Sequence, residues 1–428
     1  MIRTHTHIHT HDREADVLVL GAGLQGCGIA LELAGRGVST TLIEQDAMPL
    51  NRASLRNEGK IHLGIIYAND RTMATAQLQL EGALRFRSIL TRWMQGDRAW
   101  LSLSTPFRYL VAEDSVLAPE SLGRHYEAVS ERCRVLLQEH PELDYLGERP
   151  THLARPLSSE RLATHFDPAR FIAGFQTVER AIDTGVMAAA MREAVLGRAA
   201  ITFLPSHRVR AISEQDGHIR VEGDGAQGPW RVRARQVVNA MWEQRLRFDQ
   251  QMGIPPSGDL LYRLKYRVIA RLPDRLRGAP SVTMVLGPYG DVVVRPDGTA
   301  YLSWYPSGLR GWTHDIHPPS EWEAACRGEV HAPLAREIAH EVLRAIDAWY
   351  PGIGECEPLL VDAGAIVAIG RSDVDDAASA LHDRSHVGVT SQGGYHSVDP
   401  GKLTTAPMFA LLAADRVEEV RRATSRTG

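Results

Sequence analysis

The chain has 428 residues, a net charge of −4, and 44% hydrophobic against 23% charged residues. That balance belongs to a globular protein of two or three domains, with no basic block for nucleic acid and no apolar run of the ~20 residues a membrane helix needs. Four scattered cysteines (Cys27, Cys133, Cys326, Cys356) lack C-x-x-C spacing. With no apolar core of signal-peptide length near the start, they read as reduced thiols of a cytoplasmic protein.

Residues 1–13 carry His5, His7, His9 and His11 at alternating positions. In an extended chain these imidazoles share one side, a spacing that suits a divalent metal. No carboxylate or cysteine completes the set, so the expectation is a disordered tail and no metal site.

The chain is organised around residues 16–46. An apolar run at 17–20 predicts a strand buried on both faces. It ends in Gly21-Ala22-Gly23-Leu24-Gln25-Gly26, a G-x-G-x-x-G turn that opens a helical pattern stopped by Gly37. A second strand at 38–43 ends at Glu44, 23 residues after Gly21. In a dinucleotide unit Gly21 permits the turn, Gly23 lets backbone approach a pyrophosphate, and Gly26 lets helix pack on strand. The pyrophosphate then meets the positive end of the helix dipole, and the acid reaches a ribose hydroxyl.

Further along, residues 51–67 are polar and glycine-punctuated, with Gly59 and Gly64 flanking Ile61-His62, a composition suited to backbone lying on a flat ligand. Helical spacing predicts a long helix over 72–94 and another over 121–138. A helix at 187–196 precedes strands at 209–214 and 219–222 joined through Asp216-Gly217, then a strand at 231–240. Alternating strands between 260 and 305 predict a second, mostly antiparallel sheet. Residues 321–350 read as helical, and short strands return at 364–369 and 386–390. The end, 391–407, leads into an apolar helix; Asp399 and Pro400 are placed to start it, though Pro407 fits better if regular helix begins near Thr405.

These segments, in this order, resemble the FAD-dependent D-amino-acid oxidase and glycerol-3-phosphate dehydrogenase superfamily. The string Asn57-x-Gly59-x-Ile61-His62-x-Gly64-x-x-Tyr67 is most similar to L-2-hydroxyglutarate dehydrogenases, and Gly401-Lys-Leu-Thr-Thr405 to glycerol-3-phosphate dehydrogenases. The resemblance implies an α/β fold, a Rossmann-like FAD-binding domain beside an antiparallel substrate domain. The expected division is 14–95, 171–245 and 360–425 for FAD, and 96–170 and 246–359 for substrate. Gly21, Gly23, Leu24, Gln25 and Gly26 would hold the pyrophosphate, Glu44 with Gln45 the ribose, and Arg52 and Ser54 would lie near the phosphates. Asn57, Gly59, Lys60, Ile61 and His62 would follow the ribityl chain and ring, Val209 and Ala240 the adenine side. Gly364, Gly394, Lys402, Leu403 and Thr404 would approach the isoalloxazine. At the adenine-side strand end, Asn239-Ala-Met-Trp242 puts bulk where the superfamily is usually small.

The implied activity is oxidation of a CH–OH or CH–NH bond in a small polar, anionic substrate, with hydride passing to flavin N5. His62, His396 and Tyr305 are the candidate proton acceptors, Arg371 the candidate carboxylate anchor, and Lys402 the candidate charge for the reduced flavin. A surface salt bridge is an equal account of Arg371. Two other classes compete: a flavin monooxygenase reduced by NAD(P)H, whose second glycine-aspartate motif Gln392-Gly-Gly-Tyr395 does not supply, and a non-catalytic dinucleotide-binding protein. No partner beyond a small molecule is implied.

Overall fold

The apolar residues 17–20 are wholly buried because they close a strand, His11–Leu20, that has parallel neighbours on both sides. The structure, a computed structural model, describes residues 11–373 and 376–427. His5, His7 and His9 lie outside the described residues, and the first strand begins inside the stretch 1–13 expected to be a tail. Across the first sheet the order is Gly388–Gln392, Tyr395–Asp399, Gly228–Asn239, His11–Leu20, Thr40–Ile43 and Ile201–Leu204. All these neighbours are parallel except the outermost pair, Gly388–Gln392 on Tyr395–Asp399. A hairpin, His207–Gln215 with His218–Gly225, extends antiparallel from Gly228–Asn239. Asp216 and Gly217 both take positive φ (52° and 70°), the geometry of a two-residue hairpin turn.

Helix Leu24–Gly35 follows the glycine turn and packs against the last helix, Ala406–Thr427, and against Ala74–Trp93. Close packing here depends on Gly28: a Cβ at that position would lie 2.5 Å from the Trp93 ring and 3.3 Å from Ala410 Cβ.

The second sheet is separate and mostly antiparallel. Its order is Leu309–Thr313, Leu260–Arg271, Thr299–Trp304, Gly290–Val294, Ser281–Val285, Phe107–Val111, Ala173–Thr177 and Ala154–Pro156, with Glu357–Ile369 on the free side of Leu260–Arg271. Two members fall where the sequence division assigned them to the FAD part. Ala173–Thr177 and Glu357–Ile369 both pair in the second sheet, so its edges run past 170 and 359. The second of these is a long strand of 13 residues, not the short one expected at 364–369. The helical stretch expected over 321–350 is broken at 327–331, between Glu323–Cys326 and Ala332–Asp347. At the chain end, Asp399 accepts the Gly401 N–H instead of capping a helix; regular helix starts at Ala406, which places Pro407 in its first turn, where no intrahelical N–H is needed.

Candidate active site

A cleft opens at the carboxyl ends of the parallel strands, where ligands of such sheets bind, and runs to the second sheet. Its lining extends from Gly21 and Glu44 through the 51–67 segment to Lys265 and Tyr301, a span that suits a long occupant. Its walls include Gly21, Gly23, Leu24, Gln25, Glu44 and Gln45 from the glycine turn and second strand, and Arg52, Ser54, Asn57, Lys60 and His62 from the segment that follows. Val209, Ala240, Gly364, Lys402 and Leu403 complete the expected set that faces it.

The glycine turn is built as its sequence demands. Gly21 has φ 89°, and a Cβ there would lie 2.8 Å from Ala240 O; a Cβ on Gly26 would fall 1.9 Å from Gly21 O. Gly23 caps the helix with no side-chain partner, while Leu24 N–H donates to Ser54 Oγ at 2.8 Å. Glu44 accepts from Ala22 N–H (2.7 Å) and Asp46 N–H (3.0 Å). Burial pushes its pKa up to about 7 against the pull of those two donors. Gln25 ties the turn to the last helix, with its amide oriented to donate to Ala406 O (3.0 Å) and accept from Ala410 N–H (3.1 Å). Arg52 lines the cleft, but its guanidinium is committed to Asp46 (3.0 Å), Glu323 (2.8 Å) and, at 3.6 Å, Glu243. Where bulk was noted at 239–242, Met241 and Trp242 form part of the wall. Trp242 turns with φ 43° and donates Nε1–H to Ala365 O at 2.9 Å, joining the two sheets.

Gly59, Ile61 and Thr404 support the cleft from behind. Gly59 packs on Ile182 O, Ile61 N–H bonds Arg180 O, and Thr404 Oγ1 accepts His62 N–H at 2.9 Å. Three expectations fail on position. Gly394 lies at the amino end of its parallel strand, against Arg235 O, opposite the cleft. His396 is fully buried within the sheet, bonded to Ser391 Oγ (2.8 Å) and Gln236 Oε1 (3.0 Å), and burial lowers its pKa to about 4. Arg371 projects into solvent and pairs with Asp259.

At the second-sheet end the cleft becomes a charged chamber. Lys265 and Tyr301 enter from that sheet, Arg384 from the segment before Gly388, and Glu58 and His62 from the 51–67 segment. Tyr305 stands beside this group, its ring 4.4 Å from Lys265 Nζ. Among the described residues, His62 has no hydrogen-bond partner on either ring nitrogen, and neither has the Tyr67 hydroxyl, whose ring meets His62 edge-on at 5.7 Å. Burial lowers the His62 pKa despite Glu58 nearby, so the imidazole is neutral and able to accept a proton. Burial, then the charge of Arg384, brings Lys402 down to about 8.

Glu58, Lys265 and Arg384 were not anticipated. Lys265 had a readable signal: Arg263, Lys265 and Arg267 alternate along an otherwise apolar strand, and all three are buried. Arg384 had none, since its segment has neither period nor motif. Among the described residues no group of three or more metal-ligating side chains gathers, and no helix is long and apolar enough to cross a membrane.

A glycine turn at the strand ends, an acid at the next strand end and a second sheet closing the far side define a two-sheet dinucleotide-dependent oxidoreductase. The family model for FAD dependent oxidoreductase, DAO, matches residues 16–416, and the chain belongs to that family; its cofactor is FAD. Solved structures with the same fold include glycine oxidase from Geobacillus kaustophilus (17% identity, 95% of each chain, TM-score 0.67). L-alpha-glycerophosphate oxidase from Mycoplasma pneumoniae, with FAD bound, is similar too (18%, 95% of each chain, TM-score 0.63). L-proline dehydrogenase from P. horikoshii follows at 15%, covering 97% of this chain and 94% of that one, with TM-score 0.60. The tRNA 5-methylaminomethyl-2-thiouridine biosynthesis bifunctional protein of Pseudomonas savastanoi pv. phaseolicola is 38% identical over 79 residues, 18% of this chain but 12% of that protein.

Three features of the cleft fit FAD. The glycine turn leaves room for a pyrophosphate at a helix start whose cap residue, Gly23, has no side chain, Glu44 sits at the second strand end, and the cleft continues past both to the charged chamber.

Proposed function

We propose that the protein oxidises a CH–NH or CH–OH bond of a small anionic substrate bound in the charged chamber. The observation that carries this is the state of its cations. Arg263 and Arg267, flanking Lys265 on the same strand, are neutralised by Asp373 and Asp362, and Lys60 by Asp291. Lys265, Lys402 and Arg384 have no carboxylate within 4.0 Å among the described residues. Lys265 is buried and the other two are half-buried, and charges withdrawn from water are expensive unless paired, so this chamber is completed by an anion. Arg384 takes the anchoring role first given to Arg371; its planar guanidinium suits a carboxylate.

On this reading Gly21, Gly23 and Ser54 would hold the pyrophosphate, Glu44 the ribose and Val209 the adenine side, with Asn57 and Lys402 toward the ring. When bound, FAD supplies the two-electron oxidant, accepting the substrate hydride. His62 Nε2 accepts the heteroatom proton, which its neutral state permits, and Thr404 fixes the His62 backbone. Tyr67 packs edge-on against His62, and the Tyr305 ring packs against Lys265 Nζ, steadying both side chains.

Anaerobic mixing of the yellow holoenzyme with amino acids, hydroxy acids, polyol phosphates and sugars tests this. Visible bleaching by an anionic member, slowed by about 10²-fold in His62→Ala, is expected. Bleaching by NAD(P)H alone would instead mark a monooxygenase. Neutral sugars bleaching the wild type while every anion fails would overturn the reading.

A further inference from the structure

Arg52 and Arg208 line the nucleotide end of the cleft from two different elements, the 51–67 segment and the strand His207–Gln215. One carboxylate joins them. Glu323 Oε2 accepts from Arg52 Nη2 at 2.8 Å, and Glu323 Oε1 accepts from Arg208 Nη2 at 3.4 Å. Glu323 is not itself a wall of the cleft. It opens the short helix Glu323–Cys326, in the connection between strand Leu309–Thr313 and helix Ala332–Asp347, both of which belong to the second-sheet half of the molecule. The end of this short helix is tied to the 51–67 segment a second time, where Arg56 Nη2 donates to Arg327 O at 2.6 Å.

The two arginines do not depend on Glu323 equally. Arg52 keeps Asp46, 3.0 Å away, when Glu323 is removed, whereas among the described residues no other carboxylate pairs with Arg208. Freed from Glu323, the Arg208 side chain, already 46% exposed, regains its rotamers and turns to water. Its chain neighbours are His207, whose N–H bonds Glu44 O at 2.8 Å, and Val209 on the adenine side. We infer that Glu323 is a positioning residue for cofactor retention: by joining Arg52 to Arg208 it clasps two walls of the cleft beside the adenosine half of FAD and slows release of the cofactor. Glu323 acts here on cofactor, not on substrate, and the inference rests on the placement of the adenosine given above. Because the carboxylate offsets the arginine charges it holds, the clasp works by fixing the walls and not by attracting the pyrophosphate.

Charge and clasp predict different outcomes. Glu323→Gln removes a negative charge and Arg208→Gln a positive one, so a field acting on the anionic cofactor would move FAD release in opposite directions. A clasp is opened by either. Release is read as the growth of free-flavin fluorescence after dilution of the holoenzyme. Each single variant should release FAD faster by about three- to fivefold, the scale of a partly exposed ion pair, and the double variant should be no faster than the singles. In 1 M NaCl, where charges are screened beyond ~3 Å, the wild-type rate should approach that of the variants. Glu323→Asp keeps the charge and should retain part of the hold. If Glu323→Gln does not load FAD, Arg208→Gln, Glu323→Asp and the wild-type salt response still decide. A Glu323 that only steadies its own helix would leave Arg208→Gln at the wild-type rate, which overturns the clasp, as do opposite or additive shifts in the two single variants. Glu44→Ala separates the clasp from the placement of the adenosine. Faster release there, with wild-type rates in Glu323→Gln and Arg208→Gln, removes the clasp alone; wild-type rates in all three remove both.

Discussion

Two single groups in this cleft carry predictions because their protonation is displaced by identifiable neighbours. Lys402 is lowered to about 8 by burial, then by Arg384, with Lys265 and Arg263 adding to the effect and Glu58 opposing it. A depressed ammonium is charged below that pH and neutral above it. Affinity for pivalate, an anion with no α-hydrogen to transfer, should therefore fall as pH rises through about 8. Lys402→Met should flatten that limb, and Arg384→Met should move it upward by removing the second cause. Calorimetric titration across pH checks both, and a limb unchanged in Lys402→Met would assign it to another group. Glu44 is displaced in the other direction, up to about 7 by burial. An ionised acid is the better acceptor for a ribose hydroxyl, so wild-type FAD affinity should rise with pH through about 7. Glu44→Ala should weaken FAD by roughly 1.5–3 kcal/mol above that pH, the range for hydrogen bonds to a charged group. An FAD dissociation constant unmoved by the substitution would take Glu44 out of the site.

At the scale of elements, the irregular lead-in at 400–405 is as much part of the cleft as the glycine turn. Thr404 is wholly buried and its hydroxyl accepts the His62 N–H, while Thr405 Oγ1 bonds Pro400 O. Thr404→Val keeps the shape and leaves that N–H unsatisfied, which should cost about 1–3 kcal/mol of stability. Urea unfolding of the FAD-free protein, with an unchanged slope and a lower midpoint, is the check. The same contrast explains which elements could be read in advance. The strand at 17–20, the glycine turn, the Asp216-Gly217 hairpin and the helix Ala74–Trp93 each announce themselves by local period or turn chemistry. Strand Glu357–Ile369 did not. Its first four residues are exposed and its partner, Leu260–Arg271, is paired from 86 to 109 residues earlier, so nothing local assigns it to the second sheet. His396 misled for a related reason: a histidine after a glycine pair reads as functional, while its real partners, Gln236 and Ser391, are set by sheet pairing.

The whole molecule works as two sheets sharing one cleft, and the charged chamber exists only where they meet. That is why the nucleotide end was legible in one contiguous stretch, 16–46, whereas Lys265 and Arg384 required the fold to bring distant segments together. One buried pair holds the parts in register. Arg267 bonds Asp362 through Nε (2.6 Å) and Nη2 (3.1 Å), and its Nη1 reaches Leu55 O (2.9 Å) in the segment that lines the cleft. Arg56, from that same segment, lies 3.2 Å from Asp362. Both side chains of the Arg267–Asp362 pair are almost fully buried. Removing one partner, as in Asp362→Asn, strands a buried guanidinium and should cost about 3–5 kcal/mol. Replacing both, as in Arg267→Met with Asp362→Leu, removes the Arg267 charge but leaves Arg56 without its carboxylate, so only part of that loss should return. FAD affinity should not recover with it, because the apolar pair no longer anchors Leu55 and the cleft-lining residues beside it. Unfolding of the FAD-free variants measured beside their FAD dissociation constants separates the two effects. If the double variant regains FAD affinity along with stability, the pair stabilises the fold but does not position the cleft.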